Sequence, residues 1–289
     1  MTRVLIVNPF ASGVTERRLA AVQAALPAGT ETVLTQARGD ATDLAAEWSP
    51  RAEAVYVFSG DGTYNEVING LRSDVPVGFI PGGGTSVLPR ALGLPRDATR
   101  AAERLAYGRP RRISLGRLNG RLFAFNAGIG FDAELVRRVD AKGRRADGKR
   151  PGDVAFLWTV VRTLADHRFR YAQSLELEGL GRAAFVIIAN CSPYTYAGRV
   201  GLQFVPGASF EGGLDIVAPI DVRPQVVPRL AAVALRGRPG GRGVLRGHDL
   251  DRIRVRCDVP LPAQVDGEDI GDVEEAEIVA VRDALTVLT

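Results

Sequence analysis

Lysine is scarce in this chain of 289 residues. Lys142 and Lys149 are the only two, and every other basic residue is arginine. No lysine therefore stands in a GxxxxGK[ST] loop or on a VAIK-like strand, which excludes Walker-type and protein-kinase-type ATP sites. Cysteine and histidine are equally sparse. Cys191 and Cys257 lie far apart with no CxxC, so neither a disulfide framework nor a zinc site is encoded. They fit a reducing cytosol as small buried hydrophobes. His167 and His248 are the only histidines, and two are too few for a His-rich metal centre. Long apolar runs are missing as well. "VAFLWTVV" at 154–161 falls far short of the roughly 20 residues that span a bilayer. The start, "MTRVLIVNPF", offers four apolar residues before Asn8-Pro9, fewer than a secretory core needs. The expectation is a soluble cytoplasmic protein that at most touches a membrane surface.

What is present is ordinary in amount and ordered in pattern. Apolar content is 46%, charged content 24% and net charge +4, typical of a soluble globular chain. The length suits two domains. Residues 1–113 alternate in type. Strand-like runs stand at 3–8, 30–35, 54–59 and 76–81, with helical patterns at 15–26, 40–48, 64–72 and 97–107 between them. Short buried strands spaced by helices predict a parallel sheet with helices on its faces. From 114 to 278 the texture is β-rich, with strand-like runs punctuated by Gly, Pro and Asp, as in a sandwich or barrel. Two helices, 152–166 and 223–236, interrupt it, and the last segment, 279–289, is read as able to return to the first domain.

Every Gly-rich turn of interest in the first domain follows a strand: "NPFASG", "TQARGDAT", "SGDGT" and "PGGGTS". Ligands of parallel sheets bind beyond the carboxyl ends of the strands, so four such turns on one edge predict a site. Gly60 and Gly62 flank Asp61, which suggests either unusual backbone angles or something packed against the main chain. Thr63 reads as the cap of a helix starting near Tyr64, leaving first-turn N–H groups for an anion. Asp61 repels phosphate and is read as positioning Mg2+, directly or through water. Asn65 and Glu66 add polar groups, and Gly83, Gly84, Thr85 and Ser86 repeat the device after the next strand. The alternative is a plain capped turn. "GIGFDA" (128–133) formally matches GxGxxA, yet it lies in the β-rich half, where a dinucleotide fingerprint has no first strand to follow. "QVDGED" (264–269) carries Asp266, Glu268 and Asp269. It reads either as a solvated hairpin turn or, facing a cleft, as a carboxylate that accepts a hydroxyl proton.

The ordered set "VNPFASG", "SGDGTYNEVINGL", "PGGGTSVLPRALGLP", "FNAGIGFDAELV" and "QVDGE" resembles the diacylglycerol kinase catalytic-domain family. That superfamily also holds sphingosine, ceramide and NAD kinases. The resemblance spans nearly the whole chain. It implies a Rossmann-like α/β ATP-binding domain, a β-sandwich lipid domain and an active site in the cleft. Carried over, it gives the nucleotide to Asn8, Ser12, Thr35, Gly60–Thr63 and Gly83–Ser86. Asp61 serves the triphosphate and Mg2+, Asp266 is the general base, and Glu268 assists with metal or phosphate. Asp215 in "GGLDI" falls where some members hold a structural Mg2+.

Two motifs depart from the pattern. Ser59 replaces the first Gly of GGDGT. Aligned through Arg90-Ala91-Leu92-Gly93, the family's P-x-G-T-x-N-D run places Ser86 at the Asn and Val87 at the Asp. The resemblance thus implies an ATP- and Mg2+-dependent kinase acting on a primary hydroxyl of a lipid such as diacylglycerol. A sphingoid or prenol lipid, NAD, or a nucleotide-binding module with impaired catalysis are the alternatives. The partners implied are ATP, the lipid and an anionic membrane surface, with no nucleic acid and a homodimer left open. The membrane contact is assigned to 137–150, where Arg137, Arg138, Lys142, Arg144, Arg145, Lys149 and Arg150 outnumber Asp140 and Asp147. A solvated basic loop is the plainer reading of that stretch.

Overall fold

The computed structural model describes residues 2–141, 159, 162–167, 171–222 and 243–289. The chain forms two compact units: Met1–Ile113 with Asp283–Thr289, and Ser114–Arg282.

The first unit alternates strand and helix. It runs β1 (Thr2–Val7), α1 (Glu16–Ala25), β2 (Thr30–Leu34), α2 (Asp40–Trp48), β3 (Ala52–Ser59), α3 (Asp61–Gly70), β4 (Val77–Pro81), α4 (Val87–Ala91) and α5 (Ala98–Ala106). The strands pair in parallel in the order β2-β1-β3-β4. In register, Val4–Val7 lie beside Val55–Phe58 on one side and Glu31–Leu34 on the other. Val4, Leu5, Ile6, Val7, Val57, Phe58, Phe79 and Ile80 are fully buried. Such unbroken apolar strands belong to a parallel sheet covered on both faces. α1 is capped by Thr15, whose side chain accepts from the Arg18 amide, and α5 by Asp97, which accepts from Arg100. The chain's last residues complete this unit. Val287 pairs with Val77, and Arg109 and Thr289 exchange main-chain hydrogen bonds.

Two helices depart from the sequence reading. α3 begins at Asp61, three residues before the expected start. α4 was not read at all, because five residues with Pro89 inside them are too short to show a helical period.

The second unit is strand-rich. It contains β5 (Pro110–Leu118, shared at its start with the first unit), β6 (Arg121–Phe123), β7 (Asn126–Ile129), α6 (Phe131–Ala141) and β8 (Leu175–Leu177). β9 (Gly181–Ala183), β10 (Val186–Ala189), β11 (Thr195–Ala197), β12 (Val200–Leu202), β13 (Leu214–Pro219), β14 (Val244–Leu250), β15 (Arg252–Val265) and β16 (Glu268–Leu288) follow. Pairing here is antiparallel, in the order β14-β13-β10-β7-β15-β16. β15 changes partners along its length: Val255–Cys257 pair with β8, and Ala263–Val265 with β7. One strand thus serves two stretches of sheet, and both contribute to a core that includes Ile129, Leu177, Ile188, Ile216, Val255 and Ile278. The strand-like stretches "DRIRVRCD" (251–258) and "LPAQVDGE" (261–268) fall on this one strand and the start of β16. α6 was not expected. Of the helix expected over 152–166, residues 159 and 162–166 are described and helical. The helix at 223–236 lies outside the described residues.

Candidate functional site

In the first unit the strand order reverses between β1 and β3, the switch point beyond which open α/β sheets bind ligands. Side chains tie the two strand ends together there. Asn8 Nδ2 donates to Thr63 Oγ1 (3.1 Å), and Ser59 Oγ donates to the same oxygen (2.8 Å). Thr63 is therefore a hydrogen-bonding hub inside α3 and not its cap. The Tyr64 amide donates to Gly60 O (3.2 Å), so Gly60 holds the cap position and no side chain caps the helix. An N-terminus of that kind favours an anion.

The glycines are needed because main chains touch. A Cβ on Gly83 would stand 2.8 Å from Gly60 Cα, and one on Gly13 would stand 2.7 Å from Gly82 O. Gly13 N donates to Gly82 O (2.7 Å), and Gly82 N to Ser59 O (2.6 Å). Three strand-end turns are thereby laced backbone to backbone. Beneath them the buried Tyr64 hydroxyl lies 2.6 Å from both Ser59 O and Ile80 O. Of the two sequence-level reasons for Gly60, close packing of another main chain is the one that applies.

Asp61 has a role that the sequence did not reveal. Its Oδ2 accepts from the Val87 amide (3.0 Å) and its Oδ1 from the Leu88 amide (3.1 Å). The carboxylate bridges the β3 turn to the start of α4. Mg2+ is usually held by one or two carboxylates together with phosphates and waters. Among the described residues no group of three or more His, Cys, Asp or Glu could hold a metal ion.

The other nucleotide candidates are placed as follows. Ser86 has φ +49°, and its Oγ accepts from Gly83 N (3.2 Å), closing that loop. Gly84 is exposed, Thr85 half-buried, Ser12 exposed and Thr35 buried. Thr35 N donates to Val7 O (2.9 Å) at the end of β1. Asn65 is buried and accepts from Asn69 Nδ2, one turn into α3 and away from its first turn. Val87 is buried too.

A second cluster lies in the second unit, around the hairpin that joins β15 to β16. Val265 pairs with Glu268, leaving Asp266 and Gly267 as a two-residue loop. Both have positive φ, +49° and +76°, as the Asp-Gly turn of a tight hairpin requires. Asp266 is 3% exposed. Its Oδ2 accepts from Ala124 N (2.7 Å), and its Oδ1 from Phe125 N (2.9 Å) and Asn126 N (3.2 Å). The solvated-turn reading of this segment therefore fails for Asp266. Glu268 is half-buried beside it.

The "GIGFDA" motif is explained by the same cluster. Gly128 leaves room for Asp132, whose Oδ2 would lie 2.0 Å from any Cβ there. Asp132 Oδ1 accepts from Tyr194 OH (2.5 Å), and its Oδ2 from Gln264 Nε2 (2.7 Å). Burial raises the Asp132 pKa, against the pull of those two hydrogen bonds.

Asp215 lies apart from both clusters, on β13. Its oxygens accept from the Asp249 amide (2.8 Å) and contact His248 Nδ1 (2.8 and 2.9 Å). That hydrogen bond and the carboxylate charge raise the histidine pKa. A histidine ring and a main-chain amide thus contact the carboxylate for which the resemblance implies a structural Mg2+.

Residues 2–118 match the model of the diacylglycerol kinase catalytic domain. A diacylglycerol kinase of Bacillus subtilis is 41% identical over 118 residues, 39% of each chain. The present chain thus matches about two fifths of that relative's length. An uncharacterized protein of Synechocystis is 27% identical over 92% of this chain and 65% of its own. Among solved structures, a diacylglycerol kinase from Bacillus anthracis superposes with a TM-score of 0.73 at 19% identity, covering 99% of this chain and 96% of the other. An NAD kinase from Archaeoglobus fulgidus in complex with ATP gives 0.51 at 14% identity, over 100% and 94%. These likenesses are of fold and extend over the whole chain, while the family match is confined to residues 2–118.

Proposed function

We propose that the protein is a lipid kinase that moves the γ-phosphoryl group of ATP to a primary hydroxyl, with diacylglycerol as first candidate. The observation that carries this reading is the lacing of the Gly13, Gly60 and Gly83 turns around an α3 N-terminus that no side chain caps, at the sheet's switch point. Backbone N–H groups in such a cradle meet phosphate oxygens without a lysine. Asn8, Ser12, Thr35 and the Gly60–Thr63 and Gly83–Ser86 turns would hold the nucleotide. Bound Mg2+ would neutralise charge on the phosphates, with Asp61 orienting its water shell. Asp266 would take the proton as the lipid oxygen forms its bond to the γ-phosphorus and the bond to the β–γ bridging oxygen breaks, releasing ADP. Glu268 would assist at the phosphate.

Membrane contact by the basic stretch belongs to the same reading, and the peripheral cytoplasmic location follows from it. Among the described residues no helix is long and apolar enough to cross a membrane.

The test is radiolabelled ATP offered with dioctanoylglycerol, sphingosine, a short prenol or NAD, with and without Mg2+. Labelled phosphatidic acid, dependent on Mg2+ and reduced by roughly 100-fold in Asp266→Asn, is the expected result. Label on sphingosine, prenol or NAD instead would replace the substrate. ATP binding with no transfer to any of them would leave a nucleotide-binding module.

A further inference from the structure

We propose that helix α6 sets the geometry of the Asp266–Gly267 turn through two positioning residues, Asp132 on its buried side and Arg137 on its outer side. The catalytic consequence rests on Asp266 being the base proposed above; the structural claim does not.

The inner contact runs through Gln264, which is fully buried. Its Nε2 donates to Asp132 Oδ2 (2.7 Å) and to Asn126 Oδ1 (2.9 Å), and its Oε1 accepts from Gly267 N (2.9 Å). A carboxylate only accepts hydrogen bonds. Asp132 therefore dictates which end of the Gln264 amide faces it, and the carbonyl oxygen is left pointing at the turn. Asn126 is held on its other side, donating from Nδ2 to Tyr194 O (3.0 Å), and its main chain exchanges hydrogen bonds with Asp266. Asn126 N donates to Asp266 Oδ1, and Asp266 N to Asn126 O (2.8 Å). The chain of contacts from Asp132 thus ends on the main chain of both residues of the loop.

The outer contact is a guanidinium fork. Arg137 Nε and Nη2 meet Asp269 Oδ2 (2.8 Å) and Oδ1 (3.0 Å), and Nη2 also meets Asp272 Oδ1 (2.7 Å). A two-pronged Arg–carboxylate pair fixes orientation as well as distance. One helix therefore grips the hairpin immediately before and immediately after its loop. Asp266 is a non-glycine residue in the left-handed region, a conformation that needs such outside support.

The test is amide hydrogen exchange by NMR on full-length wild type, Asp132→Leu, Asp132→Asn and Arg137→Met. Ile187 and Ile188 of β10 serve as controls within the same unit. The expected result is exchange about tenfold faster at Gly267 and Ala124–Asn126 in Asp132→Leu, with the controls unmoved. Asp132→Asn should restore wild-type rates, because its carbonyl oxygen can still face Gln264 Nε2. Arg137→Met, a change at a part-exposed side chain, should speed exchange at Gly267 and Gly271, and it decides alone if the leucine variant does not fold. Uniform acceleration of turn and control amides, or none, would overturn the proposal. In the dioctanoylglycerol assay the turn-loosening variants should lower kcat and leave the ATP KM unchanged. If Asp266→Asn turns over normally, the base reading falls while the exchange result still decides the positioning claim.

Discussion

Asp61 shows how much one carboxylate can be asked to do. The sequence makes it look like an isolated acid between glycines, available to a metal ion. In the fold both of its oxygens accept from the Val87 and Leu88 amides, so it holds the turn after β3 against the start of α4. Asn at 61 would keep one acceptor and turn an N–H toward another N–H. Asp61→Asn should therefore lose roughly 1–3 kcal/mol of stability together with most of its Mg2+–ATP protection against thermal unfolding. A variant that melts like wild type would remove the bridging role. A variant that melts earlier yet gains full ATP protection would remove the nucleotide role. The glycines and acids of both clusters were legible because their spacing is unusual. The roles of Asp61 and Thr63 were not, since their partners lie on a helix too short to show a period and at Asn8, just past the end of β1 and 55 residues away.

At the scale of elements, apolar runs and turn residues sufficed for the parallel strands of the first unit, where β1, β3 and β4 each carry a continuous buried stretch. They failed for α6. Its sequence, FDAELVRRVDA, buries Asp132 along with Ala133 and Leu135, and a buried acid breaks the apolar stripe by which a helix is recognised. Charged contacts add to the packing that anchors α6. Glu134 is pushed up by burial, but hydrogen bonds from Tyr171, His167 and Arg138 win and hold its carboxyl below the usual range. The hydrogen bond from Arg137 holds Asp269 below that range too. A depressed carboxylate stabilises the fold above its unfolded pKa, near 4, and that contribution is lost as pH falls through the folded value. Thermal melts of wild type and Arg137→Met should thus differ at pH 7, and the gap should close as pH drops from about 4 toward 2. A gap independent of pH would mean that the fork contributes packing and no ion pairing.

For the whole molecule, the open question is how a chain with no membrane-spanning helix among its described residues would reach a lipid. The stretch 137–150 carries seven basic residues, but they are not equivalent. Arg137 is committed to Asp269 and Asp272, and Arg138 to Glu134 and Asp166, so neither offers a full positive charge to a surface. Lys142, Arg144, Arg145, Lys149 and Arg150 lie outside the described residues and are the remaining candidates. Each basic residue close to an anionic leaflet contributes about 1 kcal/mol. Five, offset by Asp147, would give reversible attachment suited to an enzyme that must come and go. Screening limits such attraction to roughly 10 Å at 0.1 M salt. The protein should therefore sediment with phosphatidylserine-containing vesicles and not with pure phosphatidylcholine, and lose that association in high salt. Changing Arg144, Arg145, Lys149 and Arg150 to Ser should abolish it. Changing Arg137 to Met should leave it intact, because that side chain's charge is already matched within the fold. Equal sedimentation by wild type and the quadruple variant would show that the basic stretch is a solvated surface, and the route to the lipid would have to be sought elsewhere on the chain.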